Sequence, residues 1–389
     1  MYCAGFASFS IISRNQAVFK IRIMKILLIG EYSNVHATLA EGLRALGHKV
    51  VVASNGDFWK NYPRDIDLAR REGKLGGMAL LAKVLRLLPS WRGYDVVQLI
   101  NPIFLELKAQ LLFPIYRYLR RHNKLVVLGA FGMDWYWVNE CTNRKPLRYS
   151  DFNIGSEVRT NADAQKEQHD WLGTKKEQLN KFIAETCNGI VTGLYEYQVC
   201  YEPYFPAKTR FIPFPIKMPS ASDRQPSDKV RIFIGISRQR SAYKGTDIML
   251  KAAEDVMKKY AEHMVLTKAE GVPFAQYQHM MDNSDAILDQ LYSYTPSMNP
   301  LLAMSKGIIC IGGGEPENYE IILEKELRPI INVLPSYESV YHELEQLVLH
   351  PERIPELQRQ SVEYIRRHHE YVKVARQYAD FYGELLIKK

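Results

Sequence analysis

The sequence predicts an α/β protein of two domains, each a parallel sheet flanked by helices, facing one another across a cleft. Three observations predict it. The chain has 389 residues, more than one ordinary core can organise. Short apolar runs alternate with helix-length patterns along almost its whole length, the signature of parallel α/β sheets. Finally, that series is interrupted once, by a proline-bearing segment and a polar stretch, and then begins again.

The first series opens with a strand at Ile26 to Ile29. A helix follows at His36 to Leu46, stopped by Gly47, and then a strand at Val50 to Ala53. Strands at Val96 to Ile100 and Leu125 to Leu128 flank an apolar helix at Leu105 to Arg121. Strands at Ile190 to Thr192 and Arg210 to Ile212 complete the sheet. Residues 132–175 are polar and aromatic without a steady period and read as an inserted loop region. In Phe211-Ile-Pro-Phe-Pro-Ile216, Pro213 and Pro215 cannot extend a central strand, and residues 218–229 read as the linker. The first domain is therefore expected at 24–217 and the second at 230–370.

The second series has strands at Ile232 to Ile236, Met264 to Thr267, Ala286 to Asp289 and Ile308 to Ile311. Between and after them come helices at Asp247 to Lys259, Phe274 to Met281, Asn299 to Lys306 and Glu317 to Lys325. A last helix covers Val372 to Leu386, inside a closing segment of 371–389. Residues 1–23 contain no acid, and their charge follows rather than precedes the apolar stretch, unlike a secretory signal. Met24 opens the first strand cleanly and is read as the true start, with 1–23 a disordered or artefactual leader.

Composition narrows the partners. The net charge of +8 suits an anionic ligand or an acidic membrane face. No basic run with interleaved aromatics points to nucleic acid. The five cysteines, Cys3, Cys141, Cys187, Cys200 and Cys310, match no metal-site spacing and read as reduced structural thiols of a cytoplasmic protein. Leu80 to Trp91 is apolar and basic; it fits either a packing helix or a membrane surface, as does the basic stretch at Arg117, Arg120 and Arg121.

In open α/β sheets ligands bind beyond the carboxyl ends of the strands. Gly30, after the first strand, lacks the further glycines of a dinucleotide loop; it is an ordinary turn or a ligand-facing one. In Gly235-Ile-Ser-Arg-Gln-Arg-Ser-Ala-Tyr-Lys-Gly245, Arg238 and Lys244 stand between a strand and a helix N-terminus, a natural diphosphate site. In Gly312-Gly-Gly-Glu-Pro-Glu-Asn-Tyr-Glu320, Gly313 and Gly314 free the backbone for close approach. Glu317 and Glu320 there either complement the helix dipole or accept hydrogen bonds from ribose or sugar hydroxyls. Asp289 and Gln290 end another strand; Ser297 and Asn299 either cap the next helix or offer backbone to phosphate. Asp134 lies among aromatics after a first-domain strand, as a base beside a stacked sugar or as part of an aromatic plug.

These motifs resemble the GT-B glycosyltransferases of group 1, or family 4. Arg238 and Lys244-Gly245 match that family's diphosphate-contacting residues. Leu301-Leu-Ala-Met-Ser-Lys-Gly307 resembles its Leu-Glu-Ala-Met-Ala-x-Gly segment, and the turn ending in Glu320 resembles its Gly-Gly-x-Pro-Glu, whose last Glu holds the ribose. The resemblance implies two Rossmann-like domains, with the final helix crossing back to the first. It implies a UDP- or GDP-sugar donor, no cofactor and a retaining outcome; no metal is expected, on the reading that the chain has no Asp-x-Asp triplet. The acceptor would be a saccharide or lipid-linked saccharide, bound near Gly30, His36 and Asp134 at the cytoplasmic face of a membrane. Tyr294 and Leu302 stand where the family carries two glutamates. That departure keeps two alternatives open: a nucleotide-sugar epimerase or hydrolase, and an inactive binding protein.

Overall fold

The computed structural model describes residues 23–219, 227–237 and 240–388. The expectation about the leader therefore lies almost wholly outside the described residues, as does the central part of the linker. Cys3 and Arg238 lie outside them too.

The first sheet holds β1 (Lys25–Ile29), β2 (Lys49–Ser54), β3 (Ile66–Asp67), β4 (Val96–Leu99), β5 (Leu125–Ala130), β8 (Gly189–Thr192) and β9 (Thr209–Phe211). A two-stranded antiparallel hairpin, β6 (Asn153–Ile154) and β7 (Glu157–Val158), stands apart in the 132–175 region. The strand order is β3-β2-β1-β4-β5-β8-β9, and every pairing is parallel. Central strands of such a sheet are covered on both faces, which is why β1 reads as continuous Ile26-Leu-Leu-Ile29, all four fully buried.

The second sheet holds β10 (Val230–Ile236), β11 (Met264–Glu270), β12 (Ala286–Leu288), β13 (Ile309–Gly312) and β14 (Ile331–Asn332). Its order is β11-β10-β12-β13-β14, again all parallel. Ile232, Ile234, Leu288, Ile309 and Ile311 pack against Val256 and Leu344 from the flanking helices.

The C-terminal Tyr371–Lys388 helix lies on the first domain's Val35–Ala45 helix. Gly42 permits the approach: a Cβ there would come within 2.5 Å of the Tyr371 carbonyl oxygen. The Tyr382 hydroxyl reaches under the sheet to donate to the Gln98 side chain. The chain thus passes between domains twice, and the two passages are stitched together. Ile216 N–H donates to the His369 carbonyl at 2.7 Å, and Tyr371 N–H donates back to the Ile216 carbonyl at 3.1 Å.

Three elements differ from the sequence reading. The expected helix from Leu105 begins at Ala109, because 101–108 is a loop at the end of β4. The expected helix Glu317 to Lys325 shrinks to Pro316–Ile321. The 132–175 region is structured: it carries the Trp135–Asn139 helix, the hairpin and the Ala162–Trp171 helix. Its aromatics, which blurred the period, are core: Trp135, Tyr136, Trp137, Tyr149, Phe152 and Trp171 are all buried. Cys141, Cys187, Cys200 and Cys310 are buried free thiols.

Candidate functional site

A cavity of about 1120 Å³ lies between the two sheets at their carboxyl ends. Its floor comes from the second domain: Gly235 to Ser237 at the end of β10, Lys244, Asp289 after β12, and Ser297, Asn299 and Leu302 at the start of the next helix. The first domain contributes Ser33, Asn34, Thr38, Trp59, Lys60 and Tyr62.

Lys244 is half-buried at the end of the short Ser241–Lys244 helix. Among the described residues its ammonium makes no hydrogen bond or ion pair, so it faces the cavity. Gly245 holds it there. The glycine sits at φ +73°, and a Cβ would come within 2.6 Å of Leu291, so only glycine permits the Leu291 loop to pack against this turn. Leu291 N–H donates to the Lys244 carbonyl at 2.8 Å and fixes the register. The Thr246–Lys259 helix begins immediately afterwards. Desolvation holds the Lys244 amine below its ordinary pKa, and the charge of Asp289 opposes that fall.

Asp289 is half-buried, and its Oδ2 is a buried oxygen without a partner. Burial pushes its carboxyl up to about 6, with Lys244 pulling it down. The Met298–Ser305 helix starts on the same wall. Ser297 is its N-cap residue but supplies no side-chain cap bond, so the positive end of the helix faces the cavity uncapped. Asn299 donates to the Tyr277 hydroxyl at 2.9 Å, beside Gly235. Lys244 and this helix end line the same cavity, and an ammonium and an uncapped helix N-terminus are both groups that can receive an anion.

The opposite wall carries residues that the sequence reading missed. Trp59 and Tyr62 meet Phe274 of the second domain edge-on, with ring centroids 5.6 and 5.8 Å apart. The loop that presents them holds Asp57, Phe58 and Asn61 at φ between 50° and 58°, a conformation that costs side-chain-bearing residues energy. Asp57 sustains it by accepting from Ser33 N–H at 2.8 Å and pairing with Lys60 at 2.7 Å. A polar loop with two aromatics, Phe58-Trp59, was the available signal.

Several expected site residues are elsewhere. Asp134 is fully buried in the first-domain core. It caps the Trp135–Asn139 helix, with one oxygen accepting from Trp137 N–H at 2.9 Å and the other from the Tyr201 hydroxyl at 2.7 Å. Burial raises its carboxyl to about 7, but both oxygens are engaged and neither reaches the cavity, so the catalytic assignment is corrected to an aromatic plug. His36 is likewise sealed in the core, bonded to the Gly30 carbonyl at 2.8 Å and to Gln98 at 3.1 Å; burial drops its pKa to about 3. Gly30 is a packing glycine, because at φ +87° a Cβ would come within 2.2 Å of Ile100. It lines a separate 220 Å³ cavity of the first domain.

The glycine-rich turn is also corrected. A Cβ on Gly313 would come within 2.1 Å of the Ser293 carbonyl oxygen, and one on Gly314 within 2.7 Å of Ile330. These glycines let backbone meet neighbouring protein outside the central cavity. Glu317 pairs with Arg148 of the first domain at 2.6 Å, and Glu315 pairs with the same guanidinium at 2.7 Å. Burial alone would raise Glu317, but the Arg148 hydrogen bonds outweigh it and hold the carboxyl below its ordinary range. Glu320 is exposed and opens on a different cavity of 880 Å³ with Gly314. Gln290 does not line the central cavity either; its carbonyl packs beside Gly312. Tyr294 is buried against Tyr149 and Tyr195, while Leu302 lines the cavity as an apolar residue.

An Asp-x-Asp triplet, the common carboxylate arrangement for a divalent cation, does occur at Asp65-Ile66-Asp67. It lies on the edge strand β3, where Asp65 pairs with Arg44 at 2.6 Å and Asp67 with Arg64 at 2.7 Å. Among the described residues no cluster of three or more His, Cys, Asp or Glu could hold a metal ion.

Two Rossmann-like sheets facing across a cleft, with the last helix returned to the first domain, define the GT-B fold. Solved structures share it. Sucrose-phosphate synthase from Thermosynechococcus elongatus aligns with a TM-score of 0.62 at 14% identity, over 94% of this chain and 100% of its own. HepE from Anabaena in complex with UDP-glucose aligns at 0.55 and 12%, over 94% and 100%. A putative UDP-N-acetylglucosamine 2-epimerase from Listeria monocytogenes aligns at 0.54 and 10%, over 91% and 94%. No family model matches the chain, and no curated protein matches it in sequence.

Proposed function

We propose that this protein is a glycosyltransferase that moves a sugar from a nucleotide-diphosphate donor to a saccharide or lipid-linked saccharide acceptor. The observation that carries the reading is Lys244: an ammonium unpaired among the described residues and pinned by Gly245, which lines with the uncapped helix end at Ser297 an interdomain cavity large enough for a nucleotide sugar. Glycosyl transfer without a metal requires cations where negative charge develops on the departing diphosphate. Lys244 fills that role, and Arg238, six residues upstream, joins it. Asp289, with a buried oxygen lacking a partner, is suited to accept from a donor hydroxyl or, when protonated, to donate to a phosphate oxygen. The acceptor enters from the first-domain wall, where Trp59 and Tyr62 offer flat apolar faces to a pyranose ring. UDP-glucose and the saccharide-acting enzymes among the structural relatives support a sugar-nucleotide donor. A retaining, metal-independent transfer at the cytoplasmic face of a membrane, in the assembly of a cell-surface polysaccharide, completes the proposal.

A second reading follows from Tyr294 and Leu302. With no carboxylate at either position, the chain lacks the family's usual grip on the donor sugar, and an epimerase or hydrolase would turn over its nucleotide sugar with no acceptor present. A thermal-shift screen against UDP-, GDP- and ADP-sugars tests both, since a ligand that binds the native state raises its midpoint. Stabilisation by none of them contradicts the whole reading. Release of nucleotide without acceptor by the stabilising donor selects the second.

A further inference from the structure

The Gly73–Leu87 helix connects β3 to β4 and is apolar on both of its faces. One face packs into the first-domain core through Leu80 and Val84, and Trp91 just beyond it is sealed as well. Among the described residues the other face has no partner. Leu75 is 80% exposed, Met78 68% and Leu85 54%, with exposed Ala79 and Ala82 between them. At 100° per residue these five positions fall on one stripe. Lys74 borders the stripe on one side and Lys83 on the other, with Arg86 among its apolar members. No acidic residue occurs from Gly73 to Tyr94.

A helix apolar all round has two surfaces to bury, and the core covers only one. We propose that the outer stripe seats this protein on an anionic lipid surface. Leu75, Met78 and Leu85 would enter the acyl boundary, while the lysines lay their stems along it and keep their ammonium groups among the headgroups. Charge decides the occupant. A second copy meeting this face about a two-fold axis would bring Lys74, Lys83 and Arg86 against the same basic set, with only the flanking Glu72 to offset it. The net charge of +8 adds long-range attraction to an anionic surface. Among the described residues no helix is long and apolar enough to cross a membrane, so the contact is one of surface seating. The inference is independent of what the central cavity binds.

Co-sedimentation of the full chain with vesicles of neutral phosphatidylcholine, and with vesicles containing about 30% phosphatidylglycerol, tests this. Binding to the anionic vesicles is expected to be at least tenfold stronger, and to fall as salt is raised. The triple variant Leu75→Ser, Met78→Ser, Leu85→Ser changes only exposed side chains and should keep its thermal midpoint while losing tenfold or more of that binding. Charge reversal at Lys74→Glu and Lys83→Glu should lose it too. Equal binding to both vesicle types, or a triple variant that binds like the unaltered chain, would overturn the proposal. So would a dimer in sedimentation equilibrium that the triple variant splits.

Discussion

Arg148, in the inserted region of the first domain, grips Glu317 of the second at 2.6 Å, 169 residues further along the chain. The same guanidinium holds Glu315, and Arg148 N–H donates to the Tyr294 hydroxyl at 2.7 Å. Beside it Glu196 of the first domain accepts from the Ser293 hydroxyl and from the backbone N–H groups of Tyr294 and Thr295. Arg159 closes the row, donating to the carbonyls of Ala242 and Tyr243 with its guanidinium over the Tyr292 ring at 3.4 Å. The domains are pinned together by this row of contacts, with Tyr294 at its centre.

Removing the two carboxylate grips should therefore have unequal costs. Arg148 is half in solvent, and Glu315 keeps Tyr149 and Asn332 as donors when it is lost, so Arg148→Ala is expected to cost about 1–2 kcal/mol. Glu196 is buried and serves several donors at once, so Glu196→Ala should cost about 2–4 kcal/mol. Urea unfolding curves of the two variants measure the difference; equal small losses would mean that the domains are held mainly by the hinge strands.

Asp289 makes donor binding depend on pH. Its carboxyl is raised from 3.8 to about 6, so between those values the folded protein holds a proton that the unfolded chain has released. This group's contribution to stability is greatest in acid and is lost as pH rises through about 6. A bound diphosphate places further negative charge nearby. Affinity for a nucleotide sugar, whose diphosphate does not titrate in this range, is expected to fall as pH rises from 5 to 7. Calorimetric titration across that window checks it, and Asp289→Asn should flatten the profile.

Asp134→Asn separates core from catalysis. Losing one of two acceptor oxygens from a buried helix cap should cost about 1–2 kcal/mol of stability. Donor affinity and the pH profile of turnover should remain those of the unaltered protein at a temperature where both are folded. A loss of turnover without a loss of stability would return Asp134 to the active site.

Local pattern made the sheets legible. Continuous apolar runs such as Ile26 to Ile29 and Ile308 to Ile311 show where parallel strands lie, and Lys244-Gly245 between strand and helix points to a residue that lines the central cavity. What failed depended on partners distant in sequence. Spacing around Glu317 cannot reveal Arg148, and the glycines beside it look alike whether a ligand or the Ser293 backbone approaches them. Asp134 lies just beyond β5 and His36 in the first turn of the helix after β1, as site residues do, but the protein encloses both. Leu80 to Trp91 reads as a packing helix or a membrane surface, but the turns from Gly73 to Ala79 go unread because Gly76 and Gly77 and apolar residues on both faces erase the 3.6-residue period. Trp59 and Tyr62 reach the cavity through a loop held at positive φ, which no periodicity records.

The account rests most directly on Lys244. Isothermal titration of the unaltered protein and of Lys244→Ala with the nucleotide sugar that gives the largest thermal shift is the decisive comparison. Loss of a charge-assisted contact in a site poor in water should weaken binding by about 2 kcal/mol, a factor of roughly 30, with the unfolding midpoint of the unliganded protein unchanged. Equal affinity in the two proteins would contradict the account and place the diphosphate elsewhere.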